Sequence, residues 1–173
     1  MPAPFATGSF AAERTRLELQ VIRETVAGVH GSLVATSDGL LVAHDLPDSE
    51  PAQIAALAAT TRALAASTTL ATGRGEFLDV LARGSHGYLV VYAAGDTAIV
   101  AVVGSNDLNI GMLNYQARAA ASRIAAYSPE FRGWAAQGGN AARPYGSAAS
   151  TDDWDPGYPR HQGALPVRRA PGS

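Results

Sequence analysis

Apolar residues recur at helical spacing, then in short alternating or continuous runs, then at helical spacing again, and each change of period marks an element. The segment "AAERTRLELQVIRETVAGV" places Leu19, Ile22 and Val26 on one helical face, with Leu17 and Val21 broadening it. Glu13, Arg14, Arg16 and Arg23 fall largely elsewhere, which predicts a surface-docked helix ending near Gly28. Next come "HGSLVAT" and "LLVAHDL", two short apolar runs around "SDG". Asp-Gly is a hairpin signal because both loop residues of a type I′ turn need positive φ. A two-residue loop at Asp38 and Gly39 pairs Ala35 with Val42, Val34 with Ala43, Leu33 with His44 and Ser32 with Asp45. Both faces of this hairpin are mostly apolar, so helices are expected on both and its strands are expected to be central.

The stretch "PDSEP" leads into "AQIAALAATTRALAASTTLAT", with Ser49 as expected cap and Pro51 in the first turn. Ile54, Leu57, Thr61, Leu64 and Thr68 recur at alternating steps of three and four, and nearly every neighbour is Ala or Thr. With Arg62 its one charge, the Gln53 to Thr69 helix has no proper solvent face. One side can lie on a sheet, and the other calls for a partner, most economically a second copy. Three strand-like runs follow, "GEFLDVLAR", "GYLVVYAA" and "TAIVAVVG", joined by links too short for parallel crossovers. The first alternates Glu76, Asp79 and Arg83 with Phe77, Val80 and Ala82 and suits an edge. In "SNDLNIGMLNYQARAAASRIAAY" the residues Ile110, Leu113, Ala117, Ala121 and Ile124 form a buried stripe, capped from Ser105 to Asp107. The order α-β-β-α-β-β-β-α predicts an α+β sandwich, one five-stranded antiparallel sheet with helices on both faces.

The periodic part runs from about residue 11 to residue 127, and residues 1–10 are expected to form a short flexible end. Residues 128–173 hold 7 Gly and 6 Pro, without sustained period, and are expected to form a disordered tail. That tail nevertheless carries Phe131, Trp134, Tyr145, Trp154 and Tyr158. Its "TDDWDPGYP" is the alternative to a merely loose end: a docking motif with Trp154 as the contact.

Composition then removes whole classes of chemistry. With 13 basic and 15 acidic residues and a net charge of −2, no basic field exists to gather nucleic acid. The chain has no Cys, and all its basic residues are Arg. Thiol nucleophiles, Cys-based zinc sites, a P-loop lysine and Schiff-base chemistry are thereby excluded. His30, His44, His86 and His161 show no metal-binding spacing, so neither metal nor cofactor is expected. His44 and Asp45 are strand neighbours whose side chains point oppositely, which disqualifies them as a base and its orienter. Asp45 is instead expected to hydrogen-bond Ser32 across the hairpin. The start has no secretory pattern and no window reaches roughly 18 consecutive apolar residues, so a cytoplasmic address without membrane insertion is expected.

The element order, the opening "VHGSLVATSDGLLVAHD", the Ala-rich middle helix and the "NIGMLNYQAR" start of the last helix resemble the roadblock/dynein light chain family. The likeness is greatest to its bacterial members of the MglB type and covers about Glu13 to Tyr127. The resemblance implies a homodimer in which the third strands pair across a two-fold axis and the middle helices pack side by side. On this chain the interface would comprise Ile54, Leu57, Thr61, Leu64 and Thr68 with Glu76, Phe77, Asp79 and Leu81. It further implies a non-enzymatic regulator or scaffold of a small Ras-like GTPase, accompanied in some bacteria by a sensor-kinase-like protein. Arg62 either reaches solvent at the dimer seam or contacts an acidic patch of a partner. The alternative function is an adaptor that dimerises other proteins without altering nucleotide turnover.

Overall fold

The computed structural model describes residues 6–47 and 50–131. Three helices and five strands follow in the expected order. They are α1 (Ala6–Thr25), β1 (Val29–Thr36), β2 (Leu41–His44), α2 (Pro51–Ala71), β3 (Asp79–Gly84), β4 (Gly87–Ala94), β5 (Ala98–Gly104) and α3 (Ile110–Ala125). All strand pairs are antiparallel, in the spatial order β2-β1-β5-β4-β3. The fold is the predicted α+β sandwich with helices on both faces. Its hairpin is not central, because β5 pairs with the inner side of β1 and leaves β2 as an edge.

The two faces carry separate cores. On one face, Leu19, Ile22 and Val26 of α1 and Leu113, Ala117, Ala121 and Ile124 of α3 pack with Val34, Val90, Tyr92, Val100 and Val102. On the other, Ala55, Ala58 and Ala59 of α2 lie over Leu33, Ala35, Leu41, Val91, Ile99 and Ala101. Leu17 and Val21 do not broaden the buried face of α1: they are exposed, and the stripe runs through Ala11, Thr15, Leu19, Ile22 and Val26. Thr15 fits that stripe because its hydroxyl donates to the Ala11 carbonyl at 2.7 Å. Arg123 holds α3 to α1 through a fork on the Glu18 carboxylate, with bonds of 2.7–2.9 Å.

The hairpin departs from expectation in a way that corrects itself. Gly39 N–H donates to Thr36 O and Thr36 N–H to Leu40 O, both at 2.9 Å, so the loop has three residues. Gly39, at φ +92°, occupies the left-handed position that closes such a loop. The Thr36 hydroxyl also accepts from Leu40 N–H at 2.9 Å, favouring this closure over the two-residue turn. The longer loop moves the pairing to Ala35 with Leu41, and a bulge at Val42 restores Val34 with Ala43 and Leu33 with His44. Beyond them Ser32 N–H and Oγ–H donate to the same Asp45 carboxylate oxygen at 2.6 and 2.9 Å, the expected cross-strand bond.

The remaining differences lie at element ends. The strand expected from Glu76 begins at Asp79, because glycines at positive φ, Gly73 and Gly75, turn the chain before it. Asn109, whose side chain accepts from Met112 N–H at 3.0 Å, caps α3 in place of Ser105 to Asp107. The latter form a separate turn, with Ser105 N–H bonded to Gly28 O at 2.8 Å. A Cβ on Gly28 would stand 2.6 Å from Leu108 Cα, so only glycine admits this crossing. Ser49 lies outside the described residues, and α2 starts at Pro51 without a side-chain cap. At the other end the core continues past Tyr127 to Phe131, which is 1% exposed and meets Tyr127 edge to face.

Candidate interaction surface

Helix α2 has an inner and an outer side of unequal character. Its buried residues are the alanines 55, 58 and 59, whereas Leu57, Leu64 and Leu70 are 56%, 70% and 76% exposed. Leu57 and Leu64 stand seven residues apart and therefore share one face. Between and beside them the hydroxyls of Thr60, Thr61, Ser67, Thr68 and Thr72 donate to the carbonyls four residues earlier, at 2.7–3.0 Å. With their polar hydrogens turned onto the helix backbone, these residues add to the apolar character of the face. Ile54, the first residue of the predicted seam, is partly buried against the α2-side core.

Among the described residues α2 is also the one helix long and apolar enough to cross a membrane, by length and composition. Its three buried alanines sit on the sheet whose strands β2 and β3 it connects, so the helix is held as one layer of the sandwich.

Strand β3 continues this open surface. Its six residues pair with β4 in unbroken register, and its other side has no neighbouring strand. The opposite edge, β2, has four residues and a bulge in its pairing, and Arg23 bonds the Asp45 carbonyl at 3.2 Å just past it. Shortness and bulging blunt an edge, whereas a regular run with Leu81 at 42% exposure remains competent to pair. The charges expected to guard β3 are engaged locally. Asp79 takes Arg118 of α3 at 2.7 Å, and the Arg83 guanidinium lies 5.6 Å from the centre of the Tyr88 ring.

Of the residues singled out from sequence, Leu57, Thr61, Leu64 and Thr68 therefore share the outer side of α2, while Asp79 and Leu81 lie on the free edge. Glu76 is exposed and Phe77 is buried, with 9% exposure, both in the link before β3. Trp154 lies outside the described residues. Arg62 sits apart from the Leu57–Leu64 face, in a groove with Ala66, Leu70, Phe77 and Leu78. Its Nε is buried with no hydrogen-bond partner among the described residues. Leu70 and Leu78, the latter 67% exposed, were missed: Leu70 breaks the seven-residue spacing, and Leu78 precedes the strand.

No group of three potential metal ligands occurs among the described residues. His44 Nδ1 has no hydrogen-bond partner there, and one oxygen of the Asp45 carboxylate receives both Ser32 donors. The buried Tyr92 phenol donates to Asn114 at 2.7 Å, tying β4 to α3; burial, reinforced by Asp79, pushes its pKa well above the ordinary value.

Comparison with known proteins places this arrangement. The Roadblock/LC7 domain model matches residues 16–104. An uncharacterized protein of Methanocaldococcus jannaschii is 30% identical over 115 residues, covering 66% of this chain and 96% of its own. Among solved structures, the gliding protein MglB of Thermus thermophilus aligns with a TM-score of 0.63 at 19% identity, covering 69% of this chain and 92% of its own. A Roadblock/LC7 domain of Streptomyces avermitilis aligns at 0.61 and 20% identity, over 64% and 94%. A structure described as MglB with tetrameric arrangement aligns at 0.63 and 20%, over 69% and 91%. At these identities the structural likeness is one of fold. The family match and the shared order of elements agree, and the chain belongs to the Roadblock/LC7 family.

Proposed function

We propose that this protein is a homodimeric, non-catalytic regulator that binds a small Ras-like GTPase and stimulates its GTP hydrolysis in the cytoplasm. The observation that carries the proposal is the outer surface of α2 beside the free edge β3, with Leu57, Leu64 and Leu81 exposed and the threonine hydroxyls turned inward. In the proposed dimer β3 pairs with its copy, and the Leu57 and Leu64 faces of two α2 helices meet above the joined sheets. Full burial of a leucine contributes about 1.5–3 kcal/mol, so four such side chains across a two-fold axis supply a substantial driving force even though each is already partly covered. The fold shared with MglB supports the GTPase as partner.

The test is GTP hydrolysis by the cognate small GTPase with and without this protein. Faster turnover, together with binding that depends on the nucleotide, is the expected result. The absence of both acceleration and nucleotide-dependent binding would contradict the proposal. Binding with unchanged turnover leaves the adaptor reading in its place.

A further inference from the structure

The groove holding Arg62 lies apart from the Leu57–Leu64 face of α2, and its contents are unusual. It encloses about 590 Å³ between Arg62, Ala66 and Leu70 of α2, the 75–78 link and the turn at Gly95 and Asp96. A second cavity of about 290 Å³ shares Leu78, Ala93 and Gly95 and ends on Arg118, Ala121 and Ser122 of α3. The two form one trough around the β4–β5 turn, with exposed leucines 70 and 78 on its walls and an arginine toward each end. Arg118 already holds Asp79, but the buried Nε of Arg62 has no acceptor among the described residues. A buried guanidinium donor without a partner is costly and is satisfied by an incoming carboxylate.

The described chain ends beside this trough. Gly95 approaches α3 closely enough that a Cβ on it would lie 3.3 Å from the Ala125 side chain. Thr97, two residues on, shares a 2.6 Å hydrogen bond with Ser128, three residues before Phe131. Downstream stands "TDDWDPGYP", residues 151–159, in which Asp152, Asp153 and Asp155 flank Trp154. Residues 132–151 separate Phe131 from Asp152, and a random coil of that length has an end-to-end distance of roughly 25 Å, enough to return to the trough.

We infer that the Asp152–Tyr158 segment of the same chain docks in this trough, Trp154 against Leu70 and Leu78 and an aspartate on Arg62. Indole supplies large apolar area with a polar handle, which suits a leucine-walled cleft open to water. Glu76 and Asp96 stand exposed on the rim, so attraction is local to the arginines, and docking is weak, salt-sensitive and reversible. A partner that takes the segment away would uncover the trough, and one that takes the trough would free the segment. The inference does not rest on the GTPase or on the dimer.

The experiment uses the full chain carrying Trp134→Phe, so that Trp154 is the sole indole. Docking predicts blue-shifted emission and acrylamide quenching roughly threefold weaker than in concentrated urea, as for an indole withdrawn from water. Arg62→Gln, and separately Asp152, Asp153 and Asp155 all changed to Asn, should restore strong quenching. The triple change lies outside the described fold and keeps the test valid if Arg62→Gln misfolds. Trp154 quenched as strongly in the parent as in urea overturns the inference. Protection that survives the triple change overturns the ion pair with Arg62. Protection lost when Leu64→Asp separates the copies overturns docking within one chain, and unchanged protection in that monomer supports it whatever the GTPase assay returns.

Discussion

The two helical layers of the sheet are built from opposite materials. The α1–α3 layer buries Leu19, Ile22, Val26, Leu113, Ile124, Tyr92 and Phe131, and its two helices are joined by the Arg123–Glu18 fork. The α2 layer buries three alanines and leaves its leucines outside. One layer is complete within a single chain. The other is thin on the inside and apolar on the outside, the distribution that the proposed dimer would cover. The edges repeat the contrast, since β2 is short and bulged and β3 is regular.

Truncation separates the layers most sharply. Leu113→Ala removes a fully buried side chain and is expected to cost about 2–5 kcal/mol in denaturant unfolding, at any protein concentration. Leu64→Ala, measured under dilution where the chain is monomeric, is expected within about 0.5 kcal/mol of the parent. Equal costs would erase the distinction. A smaller effect comes from Asn109→Ala, which removes the α3 cap and should lower stability by about 1 kcal/mol; no loss would show that α3 is fixed by packing alone. Smaller still is the effect of Arg118→Gln: the pair with Asp79 is half-exposed, so monomer stability changes by less than about 1 kcal/mol. The freed Asp79 charge on the edge should nevertheless weaken self-association, seen as a higher dimer dissociation constant.

Tyr92 supplies a pH test of the completed layer. Its folded pKa is raised above the ordinary 10.0, chiefly by burial, so the unfolded chain loses this proton first as pH rises. Stability from this group is full below pH about 10 and declines above it. Tyr92→Phe should flatten that alkaline decline in thermal melts at fixed ionic strength, and an unchanged decline would place its cause elsewhere.

Element order and type were legible because hydrophobic period reports them directly, and the exposed leucine face of α2 was legible because Leu57 and Leu64 stand seven apart. The Leu33–His44 register was legible for a less secure reason: a loop one residue longer than expected and a bulge at Val42 cancel. Side-chain to backbone bonds were the main hidden term. Thr36 lengthened the hairpin loop, and Asn109 took the cap from Ser105–Asp107, each through one local acceptor that periodicity does not encode. Long-range placement was the other. Nothing local distinguishes Leu17 from Leu19, or reveals that Phe131 returns to the core, until α1, α3 and the sheet are assembled. Arg62 was visible as the lone charge of its helix, but its groove needs the 75–78 link to form.

The central claim is that the outer surface of α2 and the free edge of β3 are covered by a second copy of this chain. Sedimentation equilibrium of the full chain, beside Leu57→Asp and Leu64→Asp, tests it most directly. The account predicts twice the 17.8 kDa chain mass for the parent and the single-chain mass for both folded variants. A parent that remains at 17.8 kDa at micromolar concentration, or a dimer that survives both substitutions, would contradict it.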